Sequence, residues 1–100
     1  SFLTFKKNQY WTNTVYAQLD WNYQHTDDLL YFQIYRSTEG KAFIDYIDVY
    51  PQDQLQSGQY HYDDVFVYTG KTYMYKVLAI HSDGRFSEIS KTLRITLQNI

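Results

Sequence analysis

The sequence contains no cysteine, and its 100 residues include only one proline and four glycines. Without cysteine, a disulfide scaffold, a thiolate metal site and a cysteine nucleophile are all excluded. The formal net charge of −2 at pH 7 provides no basic surface of the kind that nucleic-acid binding requires. No apolar run approaches the length of a membrane span. We therefore expect one domain with its own core, no nucleic-acid partner and no insertion into a membrane.

Aromatic residues are abundant instead, at 20% of the sequence with twelve tyrosines. Aromatic and β-branched residues favour strands. Apolar and polar residues alternate most clearly in residues 15–21, 30–35 and 73–79, and this period of two is typical of half-buried strands. The pattern predicts an all-β fold, a seven-stranded antiparallel immunoglobulin-like β-sandwich spanning residues 1–100. Residues 1–14 have no clean period and are left as either the first strand or a linker from a preceding domain.

Three stretches carry a resemblance to a known family: "VYAQLDW" at 15–21, "YFQIYRSTEGKAF" at 31–43 and "YHYDDVFVYTGKTYMYKVLAIHSDGRFSEIS" at 60–90. From about residue 15 to residue 97 the chain resembles a fibronectin type III domain, in the variant common in bacterial extracellular proteins. The resemblance implies that Trp21 is the buried tryptophan of the core. It also implies that Asp64 orders the turn before Gly70, and that the Tyr73 hydroxyl bonds to upstream backbone as a tyrosine corner.

The tripeptide Gly70-Lys71-Thr72 would, in another setting, complete a phosphate-binding loop. Such a loop also needs a glycine five residues before Gly70 and a helix after it, whose N-terminus faces the phosphate. Val65 occupies the first position and a strand pattern follows the tripeptide. The tripeptide is therefore interpreted as the end of a turn.

Three histidines are each followed two residues later by an aspartate: His25/Asp27, His61/Asp63 and His81/Asp83. Imidazole and carboxylate groups together suit zinc and similar ions. In the expected topology the loops that hold His25 and His81 lie at one end of the sandwich, whereas His61 belongs to a strand leading to the other end. A two-loop site stays open as an alternative to ordinary turn geometry, with these residues: His25, Asp27, Asp28, His81 and Asp83.

No spacing in the sequence marks a nucleophile elbow or a zinc-binding helix. A small sandwich fills its interior with its own side chains, which leaves little room for a deep pocket. We therefore expect no enzyme activity, no catalytic residue, no metal and no cofactor. The order Asp83-Gly84-Arg85 reverses the integrin-binding Arg-Gly-Asp motif, and it predicts a polar hairpin turn.

The register of the sixth strand directs a set of apolar residues outward from one sheet. If Tyr73, Tyr75 and Val77 face the core, the expected contact surface consists of Tyr31, Tyr35, Met74, Leu78 and Ile80. Exposed apolar patches often mark contact surfaces, and domains of one chain commonly dock through modest interfaces. A sugar-binding face is an alternative, with these aromatic residues as stacking platforms: Tyr10, Trp11, Tyr23, Tyr46 and Tyr50.

The family resemblance implies a secreted or cell-surface context. We expect a non-catalytic spacer or docking module of a larger multidomain protein, such as a glycoside hydrolase or a surface adhesin, with neighbouring domains of the same chain as partners. One alternative is a module that recognises a glycan or protein ligand through exposed aromatics or loops. Another is a structural domain of a virion or secretion apparatus. A sandwich hosts many roles, so the fold does not choose among them.

Overall fold

The computed structural model describes residues 4–10, 16–25, 27–53, 58–87 and 90–97, with residues 4–10 and 53 described by their backbone alone. The strands are β1 (Thr4–Tyr10), β2 (Tyr16–Asn22), β3 (Leu29–Thr38), β4 (Ile44–Val49), β5 (Gln59–Asp64), β6 (Thr72–His81) and β7 (Leu93–Thr96). A short 3-10 helix, Pro51–Asp53, follows β4. No helix in these ranges is long and apolar enough to cross a bilayer.

The strands form two antiparallel sheets, with the order β1-β2-β5 in one and β4-β3-β6-β7 in the other. This arrangement confirms the expected all-β sandwich with antiparallel pairing. Within residues 1–14, β1 pairs with β2 along its whole length, from Thr4 opposite Asn22 to Tyr10 opposite Tyr16. A strand at the edge of the three-stranded sheet therefore occupies residues 4–10 of the segment whose structure the sequence left open.

The core lies between the two sheets, and β2, β6 and β7 contribute to it by burying alternate residues. On β2 the buried side chains include Ala17, Leu19 and Trp21, and β6 buries residues 73, 75, 77 and 79 opposite them. The Trp21 ring packs edge-on against Phe32, with ring centroids 5.4 Å apart, and stacks on Tyr60 at 6.3 Å. Such aromatic pairs add to the free energy gained by burial alone. The predicted alternation thus builds the core around Trp21.

The C-terminal half of β6 forms backbone hydrogen bonds with an irregular segment that follows the next turn, whereas β7 pairs with the N-terminal half of β6. The backbone N–H of Ser87 donates to Ala79 O at 3.0 Å, and Ser90 N–H donates to Val77 O at 2.9 Å. Phe86 also forms an isolated β-bridge with Ile80. Ile80 is consequently only 9% exposed. The expectation that Ile80 lies open on the outer face is wrong, because this returning segment covers it.

The loops gather at two opposite ends of the sandwich. One end, which we call the cleft end, is defined by residues 23–25, 27–28 and 81–86. There Ser82 N–H donates to Asp28 O at 2.7 Å and joins the two loops. At the Asp64 end, defined by residues 64–71 with Leu97, Gly70 N–H donates to Leu97 O at 2.7 Å. Both ends carry side chains that lie outside the core, and the two ends differ in the hydrogen bonds that hold their loops.

Candidate functional site

Asp64 is the last residue of β5, and its side chain is fully buried. Its Oδ2 accepts hydrogen bonds from Arg36 Nη1 at 2.9 Å and from the Tyr75 hydroxyl at 2.6 Å. Its Oδ1 accepts from the Tyr46 hydroxyl at 2.6 Å and from the backbone N–H of Phe66 at 3.1 Å. A buried charge is tolerated only when it is paired and its lone pairs are satisfied. These four donors meet both conditions.

Arg36 closes this network from the β3 side. Its guanidinium carbon lies 4.0 Å from the centroid of the Tyr46 ring and 5.3 Å from that of Tyr73, within the range of cation–π attraction. Burial, the largest single cause, would lower the pKa of Arg36. The hydrogen bond to Asp64, the negative charge of Asp64 and the nearby Tyr46 and Tyr75 together outweigh burial, so the pKa is raised. Arg36 Nη1 also donates to Phe66 O at 2.9 Å. Arg36 therefore stays charged while it holds backbone as well as the carboxylate.

The two tyrosine hydroxyls on Asp64 are kept in their protonated form. Burial raises the pKa of Tyr75 well above its ordinary value of 10.0, and the hydrogen bond to Asp64 and its negative charge raise it further. The same causes, in the same order, raise the pKa of Tyr46. Both hydroxyls therefore remain donors at neutral pH, and the carboxylate keeps its partners.

The loop that follows Asp64 presents apolar side chains to solvent. We call residues 65–71 the Phe66 loop. Phe66 is 71% exposed and Tyr68 is 73% exposed, with Val65 also exposed beside them. Side chains of this size are normally buried, and grouped exposure of this kind marks contact surfaces. The sequence does contain a signal, since four consecutive apolar or aromatic residues, 65–68, stand between a strand and a turn, but the expected contact surface did not include them.

The backbone of the Phe66 loop is fixed although its side chains are exposed. The Phe66 N–H is bonded to Asp64 and the Phe66 carbonyl to Arg36. Two residues on, the backbone N–H of Tyr68 donates to the Tyr73 hydroxyl at 2.8 Å, which is the geometry of a tyrosine corner. Gly70 then turns the chain with φ of 87°, a conformation that glycine adopts without strain. The loop is thus held in one conformation before anything binds to it.

A cleft of about 370 Å³ opens at the other end of the sandwich. Its buried lining residues are Tyr23 and His81, and its exposed ones are Gln24, His25, Asp27, Arg85 and Phe86. The cleft lies between the loop that follows β2 and the turn that follows β6. Phe86 and Gln24 are lining residues that the sequence interpretation did not single out. No local pattern marks them, because the cleft forms only when two distant loops meet.

His81 joins the two loops at the base of the cleft. Its Nδ1 lies 2.9 Å from the carbonyl of Asp27, which can only accept, so Nδ1 carries the proton. Nε2 then accepts from the Tyr23 hydroxyl at 2.8 Å, a tautomer assigned from the bonding partners. Burial raises the pKa of Tyr23, although Arg85 acts in the opposite direction. Both ring nitrogens of His81 are therefore engaged within the protein.

The two-loop metal site is assembled only in part. His25, Asp27 and His81 line the same cleft, but the Nε2 and Nδ1 atoms of His81 are already bonded. The Asp83 side chain accepts from the backbone N–H of Arg85 at 3.1 Å and pairs with its guanidinium; these bonds lower the pKa of Asp83. Across the part of the chain that the structure describes, no group of three histidines or carboxylates has a metal-binding arrangement.

The third histidine pair lies elsewhere, on the outer face of the three-stranded sheet. His61 Nδ1 is 2.7 Å from Asp20 Oδ1, and His61 Nε2 is 2.7 Å from Asp63 Oδ1. Asp20 and His61 are opposite each other in the β2–β5 register. His61 therefore does not contribute to the cleft.

The expected contact surface on the four-stranded sheet contains both apolar and polar side chains. Tyr31, Tyr35, Met74 and Leu78 are half-buried there, whereas Ile80 is buried. Polar groups separate them: the Tyr35 hydroxyl donates to Gln33 Oε1 at 2.6 Å, and Leu78 lies opposite Gln33. None of the five residues is among the large apolar side chains that the structure leaves most exposed. The structure thus brings four of the five together but shows less apolar surface than expected.

The predicted stacking platforms are also placed differently from the expectation. Tyr23 is buried beneath the cleft and Tyr46 is half-buried with its hydroxyl on Asp64, so the expectation that both are exposed is wrong. Tyr50 is exposed, with its ring 5.7 Å from that of Tyr31. The Tyr10 side chain and Trp11 lie outside the described residues.

Comparison with known proteins gives a structural match only. No family model matches the chain, and no curated protein matches it. The crystal structure of a beta-1,2-glucanase from Parabacteroides distasonis superposes with a TM-score of 0.71 at 21% sequence identity. The match covers 99% of this chain and 13% of the glucanase chain. The similarity shows a shared fold, in a segment that makes up about an eighth of the longer protein.

Proposed function

We propose that this chain is a fibronectin type III-like docking and spacer domain of a larger secreted or cell-surface protein, and that a neighbouring domain of the same chain binds its Phe66 loop. The two-sheet arrangement, the buried Trp21 and the Tyr68–Tyr73 hydrogen bond support the family type. The observation that carries the docking proposal is Phe66 itself, whose side chain is exposed while its backbone is bonded on both sides.

The energetics of the Phe66 loop favour binding. Fully burying a phenylalanine side chain is worth about 1.5–3 kcal/mol, and Tyr68 and Val65 extend the apolar area beside Phe66. Binding by a flexible loop would first cost the entropy of ordering it. Here the Asp64 and Arg36 bonds have already fixed the backbone, so more of the burial energy remains as affinity.

The position of the Phe66 loop suits an intramolecular partner. Leu97 N–H donates to Lys71 O at 3.0 Å, and Gly70 N–H donates to Leu97 O. A domain joined to the chain beyond Leu97 would therefore be tethered beside the loop. Tethering gives an effective concentration that makes a small contact sufficient, and interfaces between domains of one chain are typically modest.

The context of a carbohydrate-active enzyme is part of the proposal. The resemblance to fibronectin type III domains of bacterial extracellular proteins supports it, as does the fold shared with a segment of a glucanase. The catalytic work would belong to another domain, and this one would position it. The half-buried outer face around Leu78 and Met74 is a second surface on which the flanking domain could rest, with less exposed apolar area to offer than the Phe66 loop.

Small-angle scattering of the chain joined to its flanking domains tests the docking proposal. Phe66→Ser should broaden the distribution of interdomain distances, because it removes the apolar anchor and leaves its backbone bonds intact. Phe86→Ser is the matched control, since it removes an equally exposed phenylalanine from the opposite end and should change nothing. Leu78→Ser should have a smaller effect than Phe66→Ser. An unchanged distribution for Phe66→Ser, or an equal change for both phenylalanines, would contradict the proposal.

A further inference from the structure

The cleft end carries an exposed aromatic ring that neither the core nor the docking proposal uses. Phe86 is 67% exposed and lines the cleft. Its backbone is held against β6 by the bridge to Ile80, and the flanking residues add bonds from His81 N–H to Arg85 O at 2.9 Å and from Ser87 N–H to Ala79 O. The ring is therefore presented from a fixed backbone, at the opening of a concave site.

The polar part of the lining consists of planar groups. Gln24 offers an amide, Asp27 a carboxylate and Arg85 a guanidinium. Together these planar groups offer both hydrogen-bond donors and acceptors, and each group can form two neighbouring hydrogen bonds. One aromatic surface beside several planar polar groups is suited to a ligand with one apolar face and a rim of hydroxyls.

The charges around the cleft disfavour an anionic ligand. Its one guanidinium, on Arg85, is already paired with the Asp83 carboxylate. Asp27 adds a negative charge to the lining, and both ring nitrogens of His81 already bond to groups of the protein. A phosphate or carboxylate ligand would need uncompensated cations or a cluster of N–H donors. The cleft offers neither, so its chemistry fits a neutral polar molecule.

The cleft is also formed in advance of binding. His81 links the loop after β2 to the turn after β6, through Tyr23 and the carbonyl of Asp27. The Ser82–Asp28 hydrogen bond adds a second link between the same loops. Its volume of about 370 Å³ is at the small end of the range for ligand sites, about 300–1,000 Å³. A site of this size accommodates one small ring rather than a long chain.

We propose that the cleft is a binding subsite for a neutral sugar ring. The slightly positive C–H face of the sugar would lie on the electron-rich face of Phe86. The sugar hydroxyls would bond to Gln24, Asp27 and Arg85. The buried Tyr23–His81 pair shapes the base of the site. This function is separate from interdomain docking, because the cleft and the Phe66 loop lie at opposite ends of the sandwich.

NMR titration of the 100-residue chain with neutral sugars tests the proposal. The probes are sophorose, cellobiose, laminaribiose and mannobiose, with sodium acetate and inorganic phosphate as anions. At least one sugar should shift the backbone amides of Gln24, Asp27, Arg85 and Phe86, with a dissociation constant on the order of 1 mM. Phe86→Ala should weaken that binding about tenfold or more, and Asp27→Asn, which keeps the carbonyl bonded to His81, should weaken it less.

Phe66→Ala is the matched control, because it removes an equally exposed ring from the other end and should leave sugar binding unchanged. No response to any sugar up to about 20 mM would overturn the proposal, as would equal losses from Phe66→Ala and Phe86→Ala. A response to acetate or phosphate alone would overturn the assignment to neutral ligands. These results are independent of the scattering experiment, so the failure of one proposal is distinguishable from the failure of the other.

Discussion

The same local motif, a turn closed by an aspartate side chain, occurs at both ends of the sandwich in different surroundings. In Asp64-Val65-Phe66, Asp64 Oδ1 accepts the backbone N–H of the residue two positions later, at 3.1 Å. In Asp83-Gly84-Arg85, Asp83 Oδ1 accepts the backbone N–H of Arg85 at the same distance. Both are side-chain turns of the kind that aspartate commonly forms. Asp64, however, is fully buried, whereas the Asp83 side chain is about half exposed.

The difference follows from the partners of each carboxylate. Asp64 has a guanidinium and two tyrosine hydroxyls around it, so its bond to Phe66 is shielded from water and part of the core. Asp83 is held only locally, by Arg85 two residues away. The same side-chain turn can therefore anchor a loop to the folded core, as at Asp64, or stabilise only a solvent-exposed turn, as at Asp83. We expect the Asp64 end to couple strongly to stability and the cleft end to couple weakly.

The largest expected effect comes from breaking the Asp64 network. Asp64→Ala leaves the Arg36 charge without its partner and two buried hydroxyls without an acceptor, and breaking a buried ion pair costs about 3–5 kcal/mol. Asp83→Ala, at the exposed turn, should lower the free energy of unfolding far less, because surface substitutions of this kind have small effects. Urea denaturation measures both as changes in the free energy of unfolding. Equal losses for the two variants would contradict the proposed difference between the ends.

An intermediate effect is expected from the buried group at the cleft end. His81→Leu removes the acceptor of the Tyr23 hydroxyl and the donor to the Asp27 carbonyl, and an unsatisfied buried polar group costs about 1–3 kcal/mol. The loss should be smaller than that of Asp64→Ala because no charge is left unpaired. Tyr23→Phe removes only the hydroxyl and serves as the comparison, with a smaller loss. A loss for His81→Leu as large as that of Asp64→Ala would show that the cleft end is equally integral to the core.

The smallest expected effect is the loss of free energy of unfolding per pH unit under alkaline conditions. The pKa of Tyr75 is raised in the folded protein above its ordinary value of 10.0. Its stabilising contribution is therefore complete below about pH 10 and is lost as pH rises above that value, at up to about 1.4 kcal/mol per pH unit. Unfolding free energies between about pH 8 and pH 11 measure this loss. Tyr75→Phe should be less stable at neutral pH but should flatten the pH dependence. An unchanged slope would contradict a Tyr75 pKa raised by burial and by the bond to Asp64.

Much of the fold was accessible from the sequence, because alternation of apolar residues is a local signal. The pattern in β2 and β6 placed Ala17, Leu19 and Tyr75 on the core side, where the structure has them. Ile80 follows the same alternation and was expected on the outer face, yet it is buried. Its burial depends on Phe86 returning from the next turn, and periodicity within one strand carries no information about that contact.

The candidate sites were less accessible, because they depend on contacts between distant residues. Tyr46 lies 18 residues from Asp64 in sequence and in the other sheet, and only the tertiary fold brings its hydroxyl within 2.6 Å of Asp64 Oδ1. The Tyr23 hydroxyl bonds to His81, 58 residues away. Conversely, Phe66 and Tyr68 are exposed whereas Val67 between them is buried, a difference that the apolar character of all three side chains does not indicate. Composition therefore indicated that aromatic residues are important here but not which ones reach the surface.

Amide hydrogen exchange in the 100-residue chain tests whether the exposed Phe66 side chain stands on a fixed backbone. Because its N–H is bonded to the fully buried Asp64, Phe66 should exchange at least about tenfold more slowly, relative to its intrinsic rate, than Arg85, whose N–H is bonded to exposed Asp83. Phe66 should lose this protection in Asp64→Ala. If the wild-type Phe66 amide exchanges as fast as that of Arg85, each relative to its intrinsic rate, then Asp64 does not fix the backbone of the Phe66 loop.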